Sequence, residues 1–227
     1  MSKVVIKVTG KLFAPGNEDL IRELASIILS YAAEGNRLAV VTGGGVTARS
    51  YIEMGKKLGL NNAILDLLGI ESARLNAIIF TSLLGSYGYL PIPRSIDEFL
   101  RAWATDKVVV LGGLQPGQST NAVAAAIADI IGADLLINAT DVDGVYNKDP
   151  KTYPDARLLK AVTVDELEKI LIKQESKPGK YELLDKVALN IIRRSKIRTV
   201  FINAFKVDHL RRVLRGEKNV GSWVTFG

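Results

Sequence analysis

The chain has 227 residues, 48% hydrophobic and 24% charged, with 30 basic against 24 acidic side chains and a formal charge of +6. That length suits one α/β domain or two small lobes around one sheet, and it buries enough apolar surface to need no disulfide or metal staple. There is no cysteine, which excludes thiol catalysis, cysteine-based zinc sites and iron–sulfur clusters, while the modest positive charge favours anionic ligands in general.

The opening residues are too few and too charged for a signal peptide, and residues 4–8 form a short β-branched strand. Residues 17–33 read as an amphipathic helix, with Leu20, Leu24, Ile27, Ile28 and Tyr31 on one face, Asn17 as N-cap and Gly35 as stop. A strand over 37–42 ends in Gly43, Gly44 and Gly45 and is followed by a helix over 46–57. A long helix spans 64–84 with Gly69 inside it, then a shorter helix 96–104 and a strand 107–111. A Gly/Pro/Gln loop over 112–119 leads into a helix over 120–131 that is small or apolar almost all round, hence buried. The longest apolar candidate for a membrane span, 122–137, is broken by Asp129, Gly132 and Asp134, so a soluble intracellular protein is expected. The strand over 134–139 runs into an acidic loop, 140–150.

Beyond that loop, a helix over 163–172 carries a capping box of Thr163 and Glu166. A polar loop over 174–180, a helix 181–195, a strand 199–203, a helix 207–215 and a closing strand 220–225 complete the chain. The basic runs at 193–198 and 211–215 fall at helix ends, where cations favour the macrodipole, and no aromatic residues interleave with them as a nucleic-acid platform requires. The single histidine, His209, reads as a surface residue, since histidine metal sites usually use several ligands. Regular alternation of strand and helix predicts an α/β fold: a three-layer αβα sandwich with a mostly parallel central sheet and helices on both faces.

Four loops follow four predicted strands: Thr9-Gly10-Lys11, Gly43-Gly44-Gly45, 112–119 and 140–150. Each combines glycines with hydroxyls or charges, and three lead into a helix. Glycine lets backbone N–H groups approach an anion closely, and a helix N-terminus adds partial positive charge. Lys7 and Arg49 supply cations beside them. Neither the Walker-type loop nor the dinucleotide fingerprint is present, and the protein-kinase set is absent. An EF-hand reading of the acidic loop fails, because the third acid before Gly144 and the final bidentate Glu are missing.

In order, these motifs resemble the amino acid kinase family, and within it the archaeal-type uridylate branch. The resemblance runs from Lys3 to about Thr225. It is carried by Lys7 to Gly10, by Gly43-Gly44-Gly45 with Ala48 and Arg49, by Asp66 to Asn76, by Gly112 to Thr120, and by Thr140-Asp141-Val142-Asp143-Gly144-Val145-Tyr146 with Asp149 and Pro150. It implies phosphoryl transfer from ATP to UMP, with Mg²⁺ accompanying ATP. Gly44, Asp66 and the loop Leu114, Gln115, Pro116, Gly117, Gln118, Ser119 and Thr120 would bind UMP. Thr9, Gly10, Gly45, Arg49, Thr140, Asp141, Tyr146 and Asp149 would bind ATP. Lys7 and Arg49 would be catalytic, and no metal ligand is assigned. The phosphate of UMP is already nucleophilic at neutral pH, so alignment and charge neutralisation suffice and no general base is needed.

The resemblance further implies a cytoplasmic homohexamer built as a trimer of dimers through the N-terminal half, and feedback by UTP. No nucleic-acid or membrane partner is expected. One domain over 1–227 is expected, with an acceptor-binding and oligomerisation lobe, 1–135, and an ATP-binding lobe, 136–227. The chain departs from the family in its first loop, where Lys11 stands after Gly10 and either joins phosphate binding or points to solvent. It departs again at Asn121, where relatives often carry an aspartate that organises catalytic cations. Lys177 and Lys180 are given no catalytic role. Two rival readings are another kinase of the same family and a non-catalytic nucleotide- or oxyanion-binding protein on the same fold.

Overall fold

The computed structural model describes residues 1–175 and 183–226. Among them a 7-stranded sheet forms in the order β3-β2-β1-β4-β6-β7-β5. Its strands are β1 (Lys3–Val8), β2 (Arg37–Thr42), β3 (Val109–Leu111), β4 (Leu135–Thr140), β5 (Ala161–Thr163), β6 (Thr199–Asn203) and β7 (Ser222–Thr225). The first four and β6 run parallel; β7 pairs antiparallel with β6 and parallel with β5, so the far edge is reversed.

Alternation along the strands sorts the core into two layers. Val5, Ala39, Leu136 and Phe201 face one side, under helices α4 (Ile96–Trp103), α5 (Thr120–Ile131), α6 (Val164–Glu175) and α7 (Lys186–Ser195). Val4, Ile6, Val8, Val40 and Ile137 face the other, under α1 (Glu18–Ala33), α3 (Asn62–Leu83) and α8 (Val207–Leu214). Helix α2 (Gly45–Lys57) lies outside, packed on α3. This is the three-layer arrangement that the alternation of strand and helix predicts. α5 is buried along most of its length, as its all-round apolar sequence requires.

Some local expectations change. Asn17 stands at the N-cap of α1 without capping it; its side-chain amide points back to the Lys11 carbonyl, 3.4 Å away. Asn61 caps α3 instead, accepting from the Ile64 N–H at 3.0 Å. Thr163 and Glu166 do form the capping box, but Thr163 also ends β5, a strand too short to show periodicity. His209 is half-buried rather than freely exposed, and burial lowers its pKa. Four of the arginines in these runs are paired with acids: Arg193 with Asp165 and Glu168, Arg194 with Asp129, Arg211 with Glu23 and Asp208, and Arg212 with Glu217. Residues 176–182, which hold most of the expected polar loop, Lys177, Lys180 and the expected start of the 181–195 helix, lie outside the described residues; α7 begins at Lys186. No helix among the described residues is long and apolar enough to cross a membrane.

Candidate active site

The chain moves outward from β1 to β2 and β3, then returns to place β4 on the other side of β1. The carboxyl ends of β1 and β4 therefore flank a topological switch point, where open α/β sheets bind ligands. In space the four motif loops stand in the order 112–120, 43–45, 9–11 and 140–150. Three strand spacings separate the outer two, roughly 14 Å.

The middle of this row is built from glycine. A side chain at Gly10 would place its Cβ 2.2 Å from the Gly45 nitrogen, and one at Gly45 would lie 2.0 Å from the Gly10 carbonyl oxygen. Gly45 also has φ of +65°, a left-handed conformation that disfavours any other residue. The two turns are thus stacked backbone to backbone, and α2 begins at Gly45 with its N-terminus at this edge. Thr9 is tied to β4 through its N–H to the Ala139 carbonyl, 2.9 Å, and its hydroxyl lies 3.5 Å from the Lys11 N–H.

Helix α3 braces the flank formed by residues 43–45 and 112–120. Gly44 has no room for a side chain, since a Cβ would stand 2.9 Å from the Gly69 carbonyl oxygen, and Gly112 likewise abuts the Arg74 nitrogen at 2.7 Å. Thr42 donates to the Ala73 carbonyl at 2.9 Å, and buried Asn76 donates to the Gly43 carbonyl at 2.7 Å. Buried Arg74 reaches towards the Leu114 carbonyl, 3.4 Å away. Exposed Asp66 accepts from the Gly117 N–H at 2.8 Å, so it already orders the 112–120 loop. Gln115, Pro116 and Gly117 are exposed, and Leu114, Gln118 and Thr120 are partly so. Ser119 caps α5 through the Ala122 N–H, 3.0 Å, and its hydroxyl bonds Asp185, which itself caps α7.

On the other flank, Thr140 closes a small turn by bonding both the Val142 N–H and carbonyl. Asp141 receives the ammonium groups of both Lys11 and Lys151. Burial pushes its carboxyl up, but these two cations outweigh that and hold it at about 2. Asp143 turns away to Asn203 and Lys206, and Val145 is anchored by Ser222 at 2.8 Å, so these residues build the loop. Tyr146 is half-buried, packed on the core beside β-bridge partner Leu158. Asp149 organises the next turn, accepting from the Lys151 N–H at 2.9 Å and the Thr152 hydroxyl at 3.0 Å.

Lys7 is half-buried on β1, in register with Asn138 of β4. The amide of Asn138 donates to Asn121 at 3.2 Å, so the two asparagines form one polar patch on the face that Lys7 shares. Arg49 is exposed one turn into α2. Thus the candidates read from the sequence lie on the loops of this edge, on β1 and at the start of α2, except Asp66, which stands on α3 and meets the edge through the Gly117 N–H. The chain's reading missed Lys151, Asp185 and Thr42. Asp185 had a local signal, a helix N-cap, whereas Lys151 is one lysine among many.

The amino acid kinase family model matches residues 2–203, nearly the whole described fold. The chain belongs to the amino acid kinase family. Among the family's curated members it is 46% identical to the uridylate kinase of Sulfurisphaera tokodaii over 221 residues, covering 97% of each chain. It is 48% identical to that of Sulfolobus acidocaldarius over 223 residues, covering 98% of each. The solved uridylate kinase of Archaeoglobus fulgidus superposes with a TM-score of 0.86 at 35% identity, over 99% of this chain and 100% of that one.

Proposed function

We propose that this chain transfers the γ-phosphoryl group of ATP to UMP, giving UDP and ADP in pyrimidine nucleotide synthesis. The observation that carries the reading is the spatial order of the loops. Residues 112–120 and 140–150, assigned by the resemblance to acceptor and adenine nucleotide, stand at opposite ends of one sheet edge, with the stacked glycine turns of residues 10 and 43–45 between them, which supports that assignment. Two nucleotides entering from the two ends meet phosphate to phosphate over those turns. The names of the relatives support the acceptor as uridylate.

In this reading Gly44, Asp66 and residues 114–120 hold UMP, and Thr9, Gly10, Gly45, Thr140, Asp141, Tyr146 and Asp149 hold ATP. Residues 1–135 form the acceptor and assembly half, residues 136–227 the ATP half. The UMP phosphate attacks directly, so the protein contributes alignment and charge. Lys7 and Arg49 neutralise the oxygens of the in-line transition state, while glycine N–H groups and the α2 N-terminus cradle them. Mg²⁺ enters with the triphosphate; among the described residues no group of three or more His or carboxylate side chains is arranged for a metal. The same reading makes the protein a cytoplasmic homohexamer with UTP as feedback inhibitor. Supporting the assembly, α3 leaves Leu75, Ile78 and Ile79 about half exposed, an apolar row at helical spacing.

The test is a coupled assay with ATP and Mg²⁺, comparing UMP, CMP and isopentenyl phosphate as acceptors. UMP turnover well above the other two is expected. Turnover of another acceptor in preference to UMP rejects the substrate, and nucleotide binding without any turnover rejects the enzyme.

A further inference from the structure

Asp141 stands directly after β4, and Lys11 directly after the Gly10 turn that follows β1. The two are 130 residues apart, yet the Lys11 ammonium rests on the Asp141 carboxylate. Lys151, 10 residues beyond Asp141, rests on the same oxygen, Oδ2. A single lysine would already neutralise the aspartate; two leave the triad with a net positive charge. An isolated carboxylate at this place would repel a triphosphate, whereas this one is over-compensated and instead gathers two ammonium groups that would otherwise repel each other.

Each ammonium has three donors, and one is spent on Asp141. Two remain on each lysine for further oxygens. They are reachable, since the Lys11 and Lys151 side chains are 33% and 55% exposed while Asp141 beneath them is only 19% exposed. The triad lies at the switch point, between the Gly10 turn and the loop that carries Tyr146 and Asp149.

We propose that Lys11 and Lys151 form a two-ammonium clamp for the β- and γ-phosphates of the bound nucleoside triphosphate, with Asp141 the positioning residue that holds both. The assignment rests on the reading that ATP occupies the 140–150 side, and goes beyond it by naming two further cations that the family's motif does not include. Lysine, a compact point charge with rotatable donors, suits a ligand whose phosphates shift during transfer.

The test is calorimetric titration of the full chain with a non-hydrolysable ATP analogue, adenosine and UMP. Lys11→Met and Lys151→Met are each expected to weaken the analogue about tenfold or more, the scale of a charged hydrogen bond, and to leave adenosine and UMP unchanged. Asp141→Asn also weakens the analogue, although it removes a negative charge; simple electrostatics alone would tighten binding. Unaltered analogue affinity in both methionine variants, an equal loss for adenosine, or tighter binding in Asp141→Asn overturns the clamp. Amine footprinting of the unaltered protein gives an answer that depends on no variant's folding. The analogue should shield Lys11 and Lys151 where UMP does not, and failure to shield them also overturns the clamp. UMP phosphorylation is measured alongside. Turnover with no shielding rejects the clamp and keeps the kinase reading; shielding by the analogue without turnover of UMP does the reverse.

Discussion

At the scale of single residues, the site is governed by where charge can be held. Asp141 illustrates the sign. Its folded-state pKa is depressed from 3.8 to about 2, so the stabilisation from its two lysines is present above the unfolded value and is lost as pH falls through the folded one. At neutral pH that is on the order of 2 kcal/mol. Asp141→Asn should therefore be less stable than the parent by about that amount at pH 7, with the gap closing between roughly pH 4 and pH 2. Denaturant melts across that range measure it. Lys7 makes a kinetic prediction instead. If it acts on the transition state, Lys7→Ala lowers kcat by about a hundredfold or more while the UMP dissociation constant changes little. Equal losses in both would assign Lys7 to ground-state binding. The four loops were legible in the chain because glycines, hydroxyls and charges beside strand ends mark themselves locally, whereas the individual candidates, Asp66 on α3 among them, came from the resemblance to the family. Lys151 was not, since nothing within ten residues marks it as the partner of Asp141.

At the scale of elements, the turns matter more than the strands. Gly45 combines a left-handed backbone with a carbonyl oxygen 2.0 Å from where its Cβ would be. Gly45→Ala is expected to cost about 2 kcal/mol or more, and to abolish turnover even where folding survives, because the Gly10 turn must move away. Thermal melts and the coupled assay read the two effects separately. Asp185 links two helix starts, capping α7 and bonding the Ser119 cap of α5. Asp185→Ala should lose about 1 kcal/mol of stability as a cap. It should also weaken UMP while sparing adenosine, since Ser119 belongs to the loop proposed to hold UMP; titration with each ligand checks this. Helix and strand positions were readable from periodicity, and most agree with the structure to within a few residues. The missed strand β5 is three residues long and is held by pairing with β7, a partner some 60 residues away that no local pattern announces.

At the scale of the whole molecule, the exposed apolar row on α3 sets the expectation for assembly. Leu75, Ile78 and Ile79 share one helix face, and covering them against a second copy removes apolar surface from water. Ile79→Lys should break the proposed hexamer into smaller species, seen by light scattering after size exclusion, with each protomer still folded by circular dichroism. A unit mass already that of a monomer in the parent protein would reject the hexamer.

The amino-acid sequence alone determined the class of fold, the sites of the four glycine-bearing loops and the absence of thiol chemistry, because each depends on residue type and on spacing within a few turns of chain. The tertiary structure decided the rest. The strand order lined those loops up along one edge, with residues 112–120 and 140–150 at its two ends. Asn76 and Thr42 were fastened to the glycine turn and to α3, and Lys11 was set on Asp141 across 130 residues. Such pairings come from which strand lies beside which. That choice is made by burial of both faces of the sheet at once, a property of the packed molecule that no local stretch of sequence contains.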